Sequence, residues 1–303
     1  MANTREIKNR INSVKNTQKI TNAMYLISST KLRKAKAELE NTRPYFQMIE
    51  TEIKRIFQSK KHVKSKYFYP EEGRHSAENY AYLVITADKG LAGSYNHNVL
   101  REAEQAIAKH KKIDLYVVGE YGRHYFQRHN IPIKQTFLYT AQNPTFERAR
   151  QIAYMLLEEY DSGRVDEIRI IYSDMENEIS SSVRMDRVLP FDRGNFIEQD
   201  GQRVEEYVNM HFFPSVEEVL NHVIPGYVAG YIYGALVDSF SAEQNARMTA
   251  MDSANKNAEK LLGELTMEYN RVRQAAITQE ITEVAAGAKA QVKKRLKEGG
   301  SLE

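Results

Sequence analysis

The sequence predicts an α/β chain in which two long terminal helices form an antiparallel coiled coil and a separate α/β domain lies between them along the chain. Three observations predict this fold class. Both ends carry apolar or small residues at heptad-like spacing, and the middle alternates short strands with helical stretches. A polar segment that mixes Lys, Pro, Gly and Ser connects the first helix to the middle. The regions predicted are a helix over residues 1–60, an α/β domain over residues 77–195 and a second helix over residues 210–298.

The composition limits the kind of protein this can be. With 303 residues, of which 42% are hydrophobic and 27% charged, the chain can bury a sizeable core. It has no run of about 18 apolar residues and no apolar signal-peptide core at its start, so a soluble chain is expected. It has no Cys, which excludes disulfides, Cys-ligated metals and thiol nucleophiles. The net charge of +3 is too small to indicate a polyanionic partner.

The first helix is basic and has one apolar seam. Nine Lys or Arg residues lie among residues 1–37 against the single acid Glu6, and no Pro or Gly interrupts the chain from Met1 to Arg43. A helix that continues to about Gln58 would be about 80 Å long, at roughly 1.5 Å per residue. The seam residues, spaced alternately by four and three, are Ile7, Ile11, Val14, Gln18, Thr21, Tyr25, Ser28, Leu32, Ala35 and Leu39. This spacing predicts a partner helix.

The second long helix is predicted to begin after Pro225 and Gly226 and to run toward Gly299. One small residue per turn and then larger apolar residues form its seam: Ala242, Ala246, Ala250, Ala254, Ala258, Leu262, Leu265, Tyr269, Val272 and Ala276. A stripe of alanines lets a neighbouring backbone approach closely, so this helix is expected to pair with the first as an antiparallel coiled coil.

The middle of the chain changes to strand periodicity. Short runs rich in β-branched and aromatic residues occur at 80–86, 113–118, 134–139 and 166–173, separated by helical stretches such as 98–110 and 145–160. This alternation predicts an α/β domain with a mostly parallel sheet.

One motif in this domain has two interpretations. The stretch "TADKGLAGSYN" at 86–96 follows a strand, contains two Gly and a Lys, and precedes a helix, as phosphate-binding loops do. It lacks both the G-x-G-x-x-G and the G-x-x-x-x-G-K-[ST] spacing, so a structural strand-to-helix turn is favoured over a phosphate site. The eight His are scattered, and His62 and His75 lack metal-ligand spacing.

Three blocks of sequence resemble the gamma subunits of rotary F-type ATP synthases. They are "IKNRINSVKNTQKITNAMYLISSTKLRKA" near the start, "TADKGLAGSYN" in the middle domain, and the pair "SAEQNARMTAMDSANKNA" at 241–258 and "RQAAITQEITEVAAGAKA" at 273–290. The last block fits the signature of that family at Ile277, Thr278, Glu280, Glu283, Gly287, Ala288 and Ala290. Together the blocks span nearly the whole chain.

The resemblance implies a central rotor shaft. The two end helices would turn inside a sleeve of three alpha and three beta subunits, and a Rossmann-like middle domain that binds no nucleotide would lie at the foot of the shaft. The implied partners are the alpha, beta, epsilon and delta subunits and the membrane c-ring, and the implied location is the cytoplasmic side of the cell membrane. No catalytic residue, cofactor or metal is implied. Small residues around Gly287 would keep the helix smooth enough to turn.

The resemblance also implies contact residues. Those placed against the alpha and beta subunits are Met24, Lys31, Arg33, Lys34, Arg247, Gln274, Thr278, Glu280, Gly287 and Ala288. The basic residues among 31–36 would face an acidic lever segment of the beta subunits. Arg247 and Gln274 are expected to make polar contacts with one beta subunit at a time; the alternative is that both are solvated residues on an exposed helical face.

Two other classes of function were weighed. A basic coiled-coil protein that binds nucleic acid would explain the charge of the first helix, but it predicts stacking aromatics among the basic residues, and only Tyr25 lies there. A phosphate-handling α/β enzyme would need an acid, base or nucleophile beside the Gly-containing loop, and the sequence offers no such set.

Overall fold

A computed structural model describes residues 4–59, 65–69, 77–138, 140–175, 180–192, 194, 196 and 211–299. Its elements in chain order are α1 (Thr4–Ser59), β1 (Asn79–Ile85), α2 (Tyr95–Ile107), β2 (Lys112–Val118), α3 (Glu120–Arg128), β3 (Gln135–Phe137), α4 (Phe146–Asp161), β4 (Glu167–Met175), β5 (Ser181–Leu189) and α5 (Val216–Gly299). Most of the predicted connecting loop, with His62 and His75, lies outside the described residues. The chain divides into two compact units: residues 1–25 with 251–303, and residues 26–250.

The first unit pairs the start of α1 with the second half of α5. Thr21 Oγ1 donates a hydrogen bond to Asn255 Oδ1 across this pair. Thr21 lies 17 residues after Thr4, where α1 begins, and Val272 lies 17 residues after Asn255. From Arg273 to Lys293 every residue of α5 is exposed. From the shared contact, the pairing thus extends toward the N-terminus of α1 and, over the same number of residues, toward the C-terminus of α5. The two helices therefore run antiparallel.

The predicted seams are the buried faces of both long helices. All ten seam residues of α1 are buried or half-buried, from Ile7 to Leu39. On α5 the seam holds from Ala242 to Val272, but Ala276 is exposed. The seam therefore ends earlier than its sequence pattern, because in the described structure α5 continues beyond the start of its partner helix.

The second unit contains a five-stranded sheet in the order β3-β2-β1-β4-β5. The first four strands are parallel, and β5 runs antiparallel to β4. Residues on both faces of β1 are buried, with Leu83 and Ile85 facing one core and Tyr82 and Val84 the other. Helices therefore cover the sheet on both sides, which explains why the central strand β1 is a continuous apolar run.

Each face of the sheet has its own helices. One core joins Val99 and Leu100 of α2 and Phe126 of α3 to the sheet. The other contains Ile152 of α4 together with α1 and the first half of α5. A Cβ added at Gly226 would lie 3.6 Å from Ile49 Cδ1, whereas one added at Gly230 would meet the ring of Phe46. Contacts that advance along α5 while they recede along α1 show that the two helices are antiparallel here as well.

The start of α5 differs from the sequence prediction. The helix begins at Val216 and continues through Pro225 instead of starting after it. Ser215 Oγ accepts a hydrogen bond from the Glu218 amide at 3.1 Å, which caps the helix. The turns before the proline bury Leu220 and Ile224 completely. The burial of these side chains offsets the loss of the backbone hydrogen bond that Pro225 cannot donate. The sequence prediction considered only the helix-breaking effect of the proline.

Polar contacts fasten α5 to strands β4 and β5. The hydroxyls of Tyr172 and Tyr231 donate to the same oxygen of Asp186, at 3.0 and 2.8 Å. The Ser173 amide donates to Ser239 Oγ at 3.1 Å. These bonds hold this part of α5 against the two strands and bring acidic side chains of the helix and the sheet close together.

Asp238 of α5 is a carboxylate in an unfavourable place. Burial and the nearby Asp174 of β4 raise the pKa of Asp238 to about 6 from its ordinary 3.8, although Arg43 of α1 and Arg184 of β5 oppose the shift. Arg184 Nε is 2.9 Å from Asp174 Oδ2 and so is engaged by the other acid. Near neutral pH, Asp238 is therefore ionised at a cost to the fold.

We expect Asp238→Asn to stabilise the chain in a pH-dependent way. The raised pKa means that the folded chain binds more protons than the unfolded chain between about pH 4 and 6, so the free energy of unfolding falls as the pH rises through this window. In the Asn variant the free energy of unfolding does not fall in this window. Above about pH 6 it should therefore exceed that of the parent by on the order of 2 kcal/mol. Denaturant unfolding of both chains from pH 4 to 8 measures the difference. A difference that stays constant with pH would contradict this assignment.

Candidate functional site

The last part of α5 is exposed on every side in the described chain. Every residue from Arg273 to Lys293 is exposed, including the apolar Ile277, Ile281 and Val284, which are 46%, 64% and 73% exposed. Most helices in proteins owe their stability to the packing of one face. A segment of this length with no packed face is typical of a surface that another protein covers.

Five of the expected contact residues lie on this exposed segment: Gln274, Thr278, Glu280, Gly287 and Ala288. Thr278 Oγ1 donates to the Gln274 carbonyl oxygen at 2.9 Å, a bond within the helix. A Cβ added at Gly287 meets nothing within 4 Å. The segment thus presents small and polar groups together with the apolar side chains of Ile277, Ile281 and Val284, and its local bonds leave the outer surface free for contact.

The expected residues of α1 lie in two settings. Lys31, Arg33 and Lys34 are exposed, and Met24 is half-buried. Lys34 Nζ lies 3.7 Å from Glu38 Oε1, with 76% of the lysine side chain exposed. An exposed i,i+4 pair at this distance contributes little to stability and leaves the lysine available to another acid.

Arg247 is buried, which rules out for this residue the alternative of a solvated side chain on an exposed helical face; its contact with a beta subunit stays a prediction. Only 10% of its side chain is exposed, and its Nη1 lies 2.6 Å from Glu243 Oε1. Its Nη2 donates to the carbonyl oxygens of Gly90 at 3.1 Å and Lys89 at 3.4 Å. Its hydrogen bonds are therefore made within the chain, to the loop after β1.

This loop, residues 86–94, forms most of the motif at 86–96 that had two interpretations, and the last two residues of the motif begin α2. The Ala87 amide donates to Asn96 Oδ1 at 2.9 Å, and Asp88 Oδ1 accepts from the Glu120 amide at 2.9 Å, which caps α3. A phosphate cradle directs several amide groups at one anion. Here one loop amide is used by Asn96, and two loop carbonyls accept from a buried arginine instead, as in a structural turn.

Thr86 joins the loop to the sheet. Its Oγ1 donates to the Val118 carbonyl at 2.8 Å and accepts from the Gly122 amide at 3.0 Å. Gly119, with φ of 97°, passes so close to Thr86 that a side chain there would overlap its backbone. The end of β1, the end of β2 and the start of α3 thus form one tightly packed corner.

Sequence reasoning missed Glu243, the buried partner of Arg247. Its side chain is 8% exposed, and burial raises its pKa although Arg247 acts in the opposite direction. The i,i+4 spacing of Glu243 and Arg247 is a signal for an ion pair. The sequence held no signal that the pair is buried against a loop more than 150 positions earlier in the chain.

The described residues contain neither a metal-ligating cluster nor a membrane-spanning helix. Among them, no three His, Cys, Asp or Glu side chains come together as a metal site. None of the helices they form combines the length and the apolar character needed to cross a membrane.

Comparison with known proteins identifies the family. The family model described as ATP synthase matches residues 3–291. The ATP synthase gamma chain of Caldanaerobacter subterraneus subsp. tengcongensis is 43% identical over 292 residues, which cover 94% of this chain and 98% of that relative. The sodium ion specific gamma chain of Acetobacterium woodii is 36% identical, with coverage of 95% and 98%.

Solved structures agree with these relatives. A chain of the central stalk and c-ring structure of the Tetrahymena thermophila mitochondrial ATP synthase aligns with a TM-score of 0.56 at 26% identity, covering 78% of this chain and 99% of that one. A chain of the Euglena gracilis mitochondrial ATP synthase shares the fold, with a TM-score of 0.67 at 16% identity over 99% and 96%. Nothing in these comparisons supports a nucleic-acid-binding protein. The chain therefore belongs to the ATP synthase gamma-chain family, the central stalk of the rotary enzyme.

Proposed function

We propose that this chain is the turning, non-catalytic shaft of a bacterial F-type ATP synthase. The observation that carries the proposal is the fully exposed segment of α5, Arg273–Lys293, which has small residues at Ala275, Ala276 and Ala285–Ala288. A helix that turns inside a sleeve must not interlock with any one subunit of that sleeve, since deep knobs-into-holes contacts fix a single angle. The chain itself makes and breaks no bond of ATP.

The proposed sleeve consists of three alpha and three beta subunits. Met24, Gln274, Thr278 and Glu280 would contact it through polar or weakly apolar groups that separate at each step. A large apolar anchor worth several kcal/mol would hold the shaft at one angle. The exposed Lys31, Arg33 and Lys34 would meet an acidic segment of the beta subunits, because exposed cations attract carboxylates without a large desolvation penalty.

The remaining partners would connect the shaft to the membrane. We assign the foot of the shaft to the epsilon subunit and the c-ring, include delta in the complex, and place the chain on the cytoplasmic side of the cell membrane. Each elementary charge that crosses the membrane supplies roughly 2.3 kcal/mol per 100 mV, so several must be accumulated for one ATP. The asymmetric shaft would carry this energy to the beta subunits in turn, which requires stiff, paired helices such as α1 and α5.

Assembly tests this proposal directly. Purified chain mixed with alpha and beta subunits should form a stable complex that hydrolyses ATP, whereas the chain alone should not. If the chain remains a free monomer in the presence of both subunits, the proposal is wrong.

A bulky side chain at Gly287 should hinder rotation without affecting the fold. Gly287→Trp places a large ring on a surface with nothing within 4 Å, so this chain should remain as stable as the parent. Inside the sleeve the ring must be displaced at each step, and we expect ATP hydrolysis to fall several-fold. Gly287→Ala is the matched control, because it adds helix propensity but no knob, and it should turn over like the parent. Normal turnover of assembled Gly287→Trp complexes would disprove the smooth-surface argument.

A further inference from the structure

Glu243 and Arg247 form a buried ion pair where α5 passes the loop after β1. Their side chains are 8% and 10% exposed, with Nη1 and Oε1 2.6 Å apart. The second guanidinium nitrogen donates to two successive carbonyls, those of Lys89 and Gly90. One side chain thus links the helix to the backbone of the loop.

Burying such a pair needs an explanation. Desolvation of two charges often cancels their attraction, and apolar side chains of the same volume would hold a helix in place equally well. Apolar side chains, however, make no directional hydrogen bonds. The planar guanidinium donates along fixed lines, and here it fixes the positions of two peptide groups of the loop.

The same loop is also bonded to helices α2 and α3. Asp88 caps α3, and the Ala87 amide donates to Asn96 of α2. Ala92 and Tyr95 pack in a small core with Ala242 of α5. The loop is therefore the connection through which the middle domain holds this part of α5, while the Lys89 side chain and Leu91, which is 66% exposed, face outward.

We propose that Glu243 and Arg247 are positioning residues: they lock residues 87–93 onto α5, so that the loop and the helix turn as one body. The locking itself depends only on contacts within this chain. Its consequence for coupling rests on the proposed function as a shaft. If the lock is opened, the helix can turn slightly before the loop follows, and part of each step is lost as elastic motion.

A spin label on the loop tests the lock. The chain has no Cys, so Lys89→Cys gives a single labelling site on an exposed side chain. The label is compared in the full-length chain, assembled with alpha and beta subunits, for the parent, Arg247→Gln, Arg247→Lys and Glu243→Gln. Arg150→Gln is the control, because Arg150 forms an exposed pair with Glu147 at 2.8 Å on α4, away from the loop.

We expect the label to become at least several-fold more mobile in Arg247→Gln, with Glu243→Gln intermediate and Arg150→Gln like the parent. Arg247→Lys keeps the charge but not the two directed bonds, so it should restore stability more than loop order. In unlabelled complexes, rotation under viscous load should slow in the same order. Unchanged label mobility in assembled Arg247→Gln or Arg247→Lys would overturn the lock. A parent chain that fails to assemble would instead contradict the proposed function.

Discussion

Replacing Gly119 by Ala is expected to lower the free energy of unfolding by about 3 to 5 kcal/mol. The added Cβ would overlap the Thr86 carbonyl and lie 2.7 Å from Thr86 Oγ1, in a backbone conformation with φ of 97°. Thr86 cannot move aside, because its amide and hydroxyl both donate to the Val118 carbonyl. The corner formed by β1, β2 and α3 would have to open.

Gly163→Ala separates the conformational cost of a positive φ from the cost of the overlap with Thr86. Gly163 also has a positive φ, 71°, but a Cβ there meets nothing within 4 Å. It should therefore show only the conformational cost, about 1 kcal/mol. Denaturant unfolding of both variants beside the parent measures the two losses. Equal losses would mean that the close approach to Thr86 has no energetic weight.

Gly230 and Gly234 should respond to Ala with opposite signs. Both lie inside α5, where Gly to Ala stabilises an unhindered helix by about 1 kcal/mol. A Cβ at Gly234 meets nothing within 4 Å, so Gly234→Ala should gain this amount. At Gly230 the Cβ would lie 2.5 Å from Phe46 Cε1, and the Phe46 ring is held by Phe146 and Tyr233. Gly230→Ala should therefore lose about 1 to 3 kcal/mol.

The measurement is again the free energy of unfolding of each variant against the parent. Phe46→Leu combined with Gly230→Ala provides the control, because a smaller side chain makes room for the methyl group and should recover part of the loss. If Gly230→Ala proves as stable as Gly234→Ala, then α1 and α5 do not approach each other as closely as described.

The long helices could be predicted because a periodic pattern is local information. The spacing of residues alone was enough to predict the α1 seam from Ile7 to Leu39. Even its polar members Gln18 and Thr21 are half-buried, as a seam position requires. Strands β1 and β2 were predicted for the same reason, since a strand buried on both faces is a nearly continuous apolar run. The short strand β3 is only partly buried and was predicted from its β-branched and aromatic residues.

Features set by distant contacts could not be predicted. The edge strand β5 alternates apolar and charged residues only from Val183 to Asp186, and α3 is short and contains Gly122, so neither produced a clear pattern. The burial of Arg247 depends on the Lys89 and Gly90 carbonyls, which only the tertiary fold brings near. Spacing identifies a face of a helix, and it does not identify what covers that face.

The contact between Thr21 and Asn255 joins positions 234 residues apart, which affects how the chain is made. A ribosome adds about 5 to 20 residues per second, so the seam at the start of α1 waits roughly 10 to 50 s for its partner. During that time a basic helix with an open seam is exposed on the nascent chain. Polar Gln18 and Thr21 in the middle of the seam weaken its attraction to other apolar surfaces. We therefore expect the weak seam to limit aggregation of the nascent chain until the partner helix has been synthesised.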